Sequence, residues 1–263
     1  MKHPMISLLT DFGSSDHYVG AMKGVMAGIC PGVQLTDVTH DIPAYDIAEA
    51  AFTLAQAWRY FPQGTVHLIV VDPGVGSSRR PIIAEAEGHL FVAPDNGVLT
   101  MVFDAVKNCR VREITASAFF RKPVSRTFHG RDIFAPVAAH LARGVAPARF
   151  GKRIPDPVRA AFSRPIQKGP KRWTGAILKI DSFGNLITNF DSETWRQLAA
   201  KPFRMKIKNH TVSRIAINYT APASRELFVI EGSSGYLEVS VKQSSARDQT
   251  LCDTHTPIDL LLL

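Results

Sequence analysis

The chain has 263 residues, 45% hydrophobic and 21% charged, which excludes an intrinsically disordered protein and allows one large domain or two modest ones. No apolar run approaches the roughly 20 residues of a membrane span, and the opening MKHPMISLLTDFG meets Asp11 too soon for a signal peptide, so it is read as a first strand. The formal charge of +8 is concentrated: residues 151–172 carry seven Lys/Arg against one Asp, and their prolines mark a solvated connector, not a nucleic-acid groove with interleaved aromatics.

In chain order, MISLLT, VQLTDVT, TVHLIVV and CRVREIT read as strands. Between or after them, DHYVGAMKGVMAGI, DIAEAAFTLAQAWRYF, NGVLTMVFDAV and GRDIFAPVAAHLARG place apolar residues at helical spacing. Asp46 is the expected N-cap of the second helix, with Glu49 three residues on. Alternation of this kind predicts a mostly parallel sheet flanked by helices over residues 1–164, interrupted by a hairpin turning at Glu87-Gly88. After a linker at 165–172 the texture changes. TGAILKIDSFGNLITNF, FRMKIKNHTVSRIAINY and ELFVIEGSSGYLEVSV are three strand pairs, with one helical patch, DSETWRQLAA, between the first two. These predict a smaller all-β barrel over 173–263. Cys30, Cys109 and Cys252 are odd in number and far apart, which fits a reducing cytoplasm.

In open parallel sheets, ligands bind beyond the carboxyl ends of the strands. TDFGSSD, DVTHDIPAYD and DPGVG fall at such ends, and TFHGRD precedes a helix, so Asp11, Asp16, Asp72 and His129 are candidates for one rim. Single aspartates after strands are ordinarily turn or cap residues; several at one edge favour a site. DPGVGSS lacks the lysine of a phosphate-binding loop, and no serine lies in a nucleophile elbow. Asp37, His40 and Asp41 suggest a metal on paper, but turn and cap hydrogen bonding explains them equally, and no metal is expected.

Taken together, LLTDFGSSDHYVGAMKGV, THDIPAYDI, VVDPGVGSSRRPI, APDNGVL, TFHGRDIFAPVAAHLA, IDSFGNLITN and GSSGYLEVSV resemble the S-adenosylmethionine hydroxide adenosyltransferases, relatives of the fluorinating and chlorinating enzymes. The resemblance runs in order from about residue 6 to about residue 241. It implies an N-terminal α/β domain, a C-terminal β-barrel and a homotrimer, with each site between one subunit's first domain and its neighbour's second. It also implies attack of water or hydroxide on the ribose C5′ of S-adenosyl-L-methionine, giving adenosine and L-methionine without a cofactor.

The catalytic trio so implied is Asp72, Arg79 and His129, with Asp72 orienting the water, Arg79 holding that carboxylate and His129 relaying a proton. Spacing alone leaves Arg80 as a competitor of Arg79. The same resemblance implies Asp11 for the ribose hydroxyls, Asp16 and Asp181 for the ammonium, Tyr45 as an aromatic wall and Asn185 for adenine. Ser233, Ser234, Glu238 and Val241 complete the second domain's contacts, although hairpin-turn chemistry accounts for Ser234 as readily. The tail KQSSARDQT departs from the family pattern, which puts backbone contacts to adenine at 241–246 in doubt. Two rivals are a halogenating enzyme and a non-catalytic adenosine or S-adenosylmethionine sensor. The halogenating branch has tyrosines where this chain has Asp72 and His129, and an extra loop after DPGVG that is missing here. A sensor has no need of the trio.

Overall fold

The computed structural model of the chain describes residues 4–161, 164–193, 195–199, 201–223 and 225–263. It divides into two compact units, one ending at Ala160 and one running Ala161–Leu263. The architecture is mixed α/β with two sheets.

The first unit contains β1 (Met5–Thr10), α1 (Tyr18–Ile29), β2 (Gln34–Thr39), α2 (Ile47–Ala57), β3 (Val66–Val70), β4 (Pro81–Ala86), β5 (His89–Pro94), α3 (Thr100–Ala105), β6 (Arg110–Glu113) and α4 (Ala135–Ala142). Its sheet has the order β2-β1-β3-β5-β4-β6. The β1–β2, β1–β3 and β3–β5 pairs are parallel, whereas β4 runs antiparallel to both β5 and β6. The sheet is therefore mixed, because the expected hairpin at Glu87-Gly88 reverses the chain and β6 pairs with its outer strand.

Side chains alternate between the two faces of each strand, and here both faces are buried. Ile6, Leu8, Val66, Leu68 and Val70 pack with Met22 and Met26 of α1 and Val137 and Ala138 of α4. Leu9, Ile69, Val71 and Phe91 pack on the opposite side with Leu54 of α2, Trp58 and Val102 of α3. Asp46 caps α2 as expected, its Oδ1 accepting the Glu49 N–H at 2.9 Å.

The second unit contains β7 (Ile166–Gly169), β8 (Arg172–Ile180), β9 (Leu186–Asp191), β10 (Phe203–Ile207), β11 (His210–Val212), β12 (Ile215–Ala216), β13 (Leu227–Glu231), β14 (Tyr236–Val241), α5 (Ala246–Thr250) and β15 (Pro257–Leu262). They form a curled nine-stranded sheet, ordered β11-β10-β15-β8-β9-β14-β13-β12 with β7 beside β8. The three expected hairpins are β8–β9, β10–β11 and β13–β14. Among the described residues the sheet ends at β11 and β12 and does not close into the expected all-β barrel, and it is accompanied by α5 and by a 3₁₀ turn at Arg196–Ala199, where the helical patch was expected. Thr194 and Ala200 of that patch lie outside the described residues.

Two strands carry no clear sequence signal, and a third departs from the expected pairing. β7 lies within the expected 165–172 connector and is mostly exposed, so it has no apolar alternation to detect. β12, two residues within the expected second strand pair, pairs instead with β13. β15 sits in the tail and gains its identity by pairing with both β8 and β10.

Candidate active site

β1 and β3 are adjacent and parallel, with Thr10 opposite Val70. Asp11 and Asp72 thus emerge at neighbouring carboxyl ends, one and two residues beyond that pair. The chain after Asp72 folds back through two tight turns. Val75 N–H donates to the Asp72 carbonyl at 3.2 Å, and Ser77 N–H donates to the Gly74 carbonyl at 3.1 Å. The Ser77 hydroxyl then accepts the Arg79 N–H at 3.2 Å. This returns Arg79 to the carboxylate where the turn began.

Arg79 Nε donates to both oxygens of Asp72, at 2.8 and 3.0 Å, and Nη2 also contacts Oδ2. Both side chains are below 10% exposed. Arg79 Nη2 lies 3.0 Å from His129 Nδ1, and the guanidinium carbon lies 5.0 Å from the Phe134 ring centre. Arg80 turns the other way, to Asp95 at 2.6 Å and Asp156 at 3.0 Å. Successive residues of an extended chain point to opposite sides, and that decides between the two arginines.

His129 precedes a π-helical turn, Gly130–Phe134, that leads into α4. Gly130 packs closely here, since a Cβ would lie 3.1 Å from Met22 Sδ and 3.4 Å from Val70 of β3. The loop before it is pinned by fully buried Asp132. Its carboxylate accepts from Ser125 N–H at 2.8 Å and from Arg131 Nε at 2.7 Å. Burial works to raise the Asp132 pKa, but Arg131, the Ser125 N–H and Arg121 together hold it below the usual carboxylate range.

The His129 contact has a chemical consequence. A guanidinium only donates, so Nδ1 accepts and the neutral imidazole carries its proton on Nε2. Burial and the adjacent Arg79 charge lower the His129 pKa, opposed by Asp72, Asp132 and the Ser125 carbonyl. Asp11 Oδ2 accepts the Tyr45 N–H at 2.9 Å, with Tyr45 held at φ 68°. Burial raises Asp11's pKa against that hydrogen bond, and the Asp72 charge adds to the rise.

Asp11, Tyr45, Asp72 and His129 line one cavity of about 260 Å³. Phe12, Tyr18, Val75, Thr127 and Phe128 share it and were not singled out from the sequence, although Thr127 and Phe128 stand beside His129 in TFHGRD. Asp16 is exposed and, like Arg79, is not among the residues lining the cavity. Of the paper metal set, Asp37 is paired with Lys23 at 2.6 Å and His40 at 3.0 Å. Among the described residues, no group of three His, Cys, Asp or Glu could hold a metal ion.

In the second unit, Asp181, Asn185, Ser233, Ser234, Glu238 and Val241 all line one cavity of about 840 Å³. Asp181 begins the β8–β9 turn: Oδ1 accepts the N–H groups of Phe183 and Asn185, both at 2.9 Å, and Oδ2 accepts Asn185 Nδ2 at 2.9 Å. Ser233 and Ser234 occupy the β13–β14 turn, and the Ser234 hydroxyl is enclosed without a partner among the described residues. Gln243, Ser244 and Ser245 line the same cavity, so the divergent tail borders it after all. Tyr219 also lines it; no motif in its loop signalled it.

Comparison with known proteins assigns the chain to a family. The chain matches the SAM hydroxide adenosyltransferase N-terminal domain over residues 6–151 and the C-terminal domain of the same family over 175–259. The chain belongs to this family. Among SAM hydroxide adenosyltransferase relatives, the (R)-S-adenosyl-L-methionine hydrolase of Salinispora tropica is 37% identical, covering 93% of each chain. The hydrolase of Thermus thermophilus is 34% identical, covering 97% of this chain and 99% of its own. A fluorinase from Actinoplanes is 30% identical over 71% of this chain and 72% of its own. An uncharacterised conserved protein from Thermotoga maritima has a crystal structure that superposes with a TM-score of 0.88 at 34% identity, covering 98% of this chain and all of that one.

Proposed function

We propose that this SAM hydroxide adenosyltransferase hydrolyses S-adenosyl-L-methionine to adenosine and L-methionine. The observation that carries the reading is Arg79 bracing Asp72 and His129 together at the wall of a cavity that also holds Asp11. Relatives that align over nearly the whole chain and are named as hydrolases support it.

The reaction suits such a site. Water oxygen forms a bond to C5′ while the C5′–S electron pair leaves with sulfur, so the sulfonium departs as a neutral thioether. That leaving group requires neither a general acid nor a Lewis acid. What remains is to align the water, remove competing solvent and accept a proton. In this reading Asp72 orients the water and accepts from it, and Arg79 keeps that carboxylate ionised and fixed. With Nδ1 engaged by Arg79, His129 offers Nε2–H as a donor, so holding the oxygen suits it better than relaying a proton. Asp11 accepts from the ribose hydroxyls, Tyr45 walls the ligand, and Asp16 and Asp181 add negative potential for the ammonium. Asn185, Val241 and the serines of the β13–β14 turn bind the rest of the substrate.

We further propose a homotrimer in which neighbouring subunits share each site, and a cytoplasmic location. Each unit carries half of the required chemistry, and the three cysteines are free. No described helix is long and apolar enough to cross a membrane. Incubation with S-adenosyl-L-methionine in ¹⁸O-labelled water, after chelator treatment, should yield adenosine labelled at the 5′-oxygen plus L-methionine. Unreacted substrate would defeat the reading, and 5′-halogenated adenosine formed with added halide would move it to the halogenating branch. For the shared site, Asp11→Ala and Asn185→Ala chains should regain activity when mixed into common oligomers.

A further inference from the structure

A chain of polar side chains joins the carboxyl ends of β1 and β2 and finishes beside Asp11. The register between these strands shifts by one residue: Leu8 lies opposite Asp37, but Leu9 lies opposite Thr39. One step further, His40 and not Thr39 comes level with Thr10, and irregularities of this kind re-aim side chains next to sites. Thr10 Oγ1 lies 2.9 Å from His40 Nδ1. His40 Nε2 lies 3.0 Å from Asp37 Oδ1 and has no other partner among the described residues. Asp37 Oδ2 accepts from Lys23 Nζ of α1 at 2.6 Å.

The groups themselves fix the direction of the chain. A carboxylate only accepts, so the neutral imidazole carries its proton on Nε2, facing Asp37. Nδ1 is then an acceptor, and the buried Thr10 hydroxyl donates to it. With that proton committed, Thr10 Oγ1 offers its lone pairs to the Phe12 N–H, which donates at 3.3 Å. The His40 carbonyl accepts the Gly13 N–H at 2.8 Å, where Gly13 turns with φ 68°. His40 therefore holds the backbone on both sides of Asp11, through its ring on one side and its carbonyl on the other. Lys23 and Asp37 are partly exposed, and such pairs add little stability; the use of the aspartate here is to set the tautomer of His40.

Phe12 carries the effect across the cavity. Its ring meets Phe128, the neighbour of His129, edge-on at 6.0 Å, and both rings line the cavity with Asp11.

Resting on the functional reading above, in which Asp11 accepts from the ribose hydroxyls, we propose that His40 is a positioning residue that holds the Asp11 turn in its ribose-binding form, with Asp37 orienting His40.

The test is calorimetric titration of the full chain with adenosine and with 2′-deoxyadenosine, which lacks one of the two ribose hydroxyls, beside KM and kcat for S-adenosyl-L-methionine. The variants are His40→Ala, His40→Asn and Thr10→Val, the last of which keeps the shape of the buried side chain while removing its hydroxyl. Loss of a hydrogen bond sets the expectation: adenosine affinity falls about 10-fold in His40→Ala and Thr10→Val. The affinity for 2′-deoxyadenosine falls by about twofold at most, because the hydroxyl that the Asp11 turn reads is already gone. KM rises with the adenosine constant and kcat falls less, the split that belongs to lost ground-state binding. His40→Asn, whose amide oxygen can stand near the Nδ1 position and accept from Thr10, recovers most of the preference for adenosine. Equal losses for the two nucleosides would show general loosening and overturn the assignment. Unchanged adenosine affinity in both His40→Ala and Thr10→Val would overturn it while leaving hydrolysis intact. An unaltered protein that neither binds adenosine nor turns over S-adenosyl-L-methionine would remove the functional reading and this inference with it.

Discussion

Arg79 Nη2 donates to His129 Nδ1 at 3.0 Å while the same guanidinium grips Asp72. One arginine therefore fixes a carboxylate and the tautomer of an imidazole at once. Arg79 itself is not among the residues that line the cavity.

Arg79→Ala should cost turnover on the scale of losing an acid–base group, about 10²- to 10⁴-fold. Arg80→Ala should keep turnover and lose stability, by roughly 1–3 kcal/mol, because Asp95 is left buried with fewer partners. Single-turnover rates beside urea unfolding curves separate the two effects. A reversed pattern would move the arginine by one position.

The pH profile of turnover follows from His129. Burial and Arg79 lower its pKa, so the ring is neutral at pH 7 and Nδ1 is free to accept from Arg79. Protonation puts a hydrogen on Nδ1 facing a donor, so activity should fall only as pH drops below the ordinary histidine value of about 6.5. The assignment fails if kcat shows an acid limb centred above that value and His129→Asn abolishes the limb.

Gly76 joins the two loops of the trio. It has φ +77°, and an added Cβ would lie 2.4 Å from the Arg126 carbonyl oxygen. Gly76→Ala combines left-handed strain of about 1–2 kcal/mol with that collision, forcing the Asp72 turn away from the loop preceding His129. Lower thermal stability and lower turnover together are expected. Normal turnover would mean that the spacing between these loops is not critical.

A buried chain in the first sheet sets its acid sensitivity. The Ser7 hydroxyl lies 2.6 Å from His67 Nδ1, and His67 Nε2 lies 3.1 Å from His89 Nδ1. Burial, then the His89 charge, takes His67 down to about 3. The unfolded chain binds a proton near 6.5 and the folded one does not, so stability is full above about 6.5 and declines as pH falls towards 3. Urea unfolding from pH 7 to 4 should show this decline, and Ser7→Ala with His67→Leu should flatten it. An unaltered slope in the double variant would place the acid sensitivity elsewhere.

Local signals were enough for the strand–helix alternation of the first unit, the Asp46 cap and the three hairpins, because apolar period, capping and turn residues act over a few positions. The same local logic put Asp11, Asp72 and His129 at the ends of elements that face one rim. It was blind to β7, whose exposed edge has no pattern, to β15, which exists through its partners, and to the pairing of β12 with β13. The choice of Arg79 over Arg80 needed the direction in which each side chain leaves the backbone, and the His129 tautomer needed a distance across 50 positions of sequence. Tyr219 entered for the same reason: its hydroxyl meets Glu238, 19 positions on, and only the folded chain brings the two together.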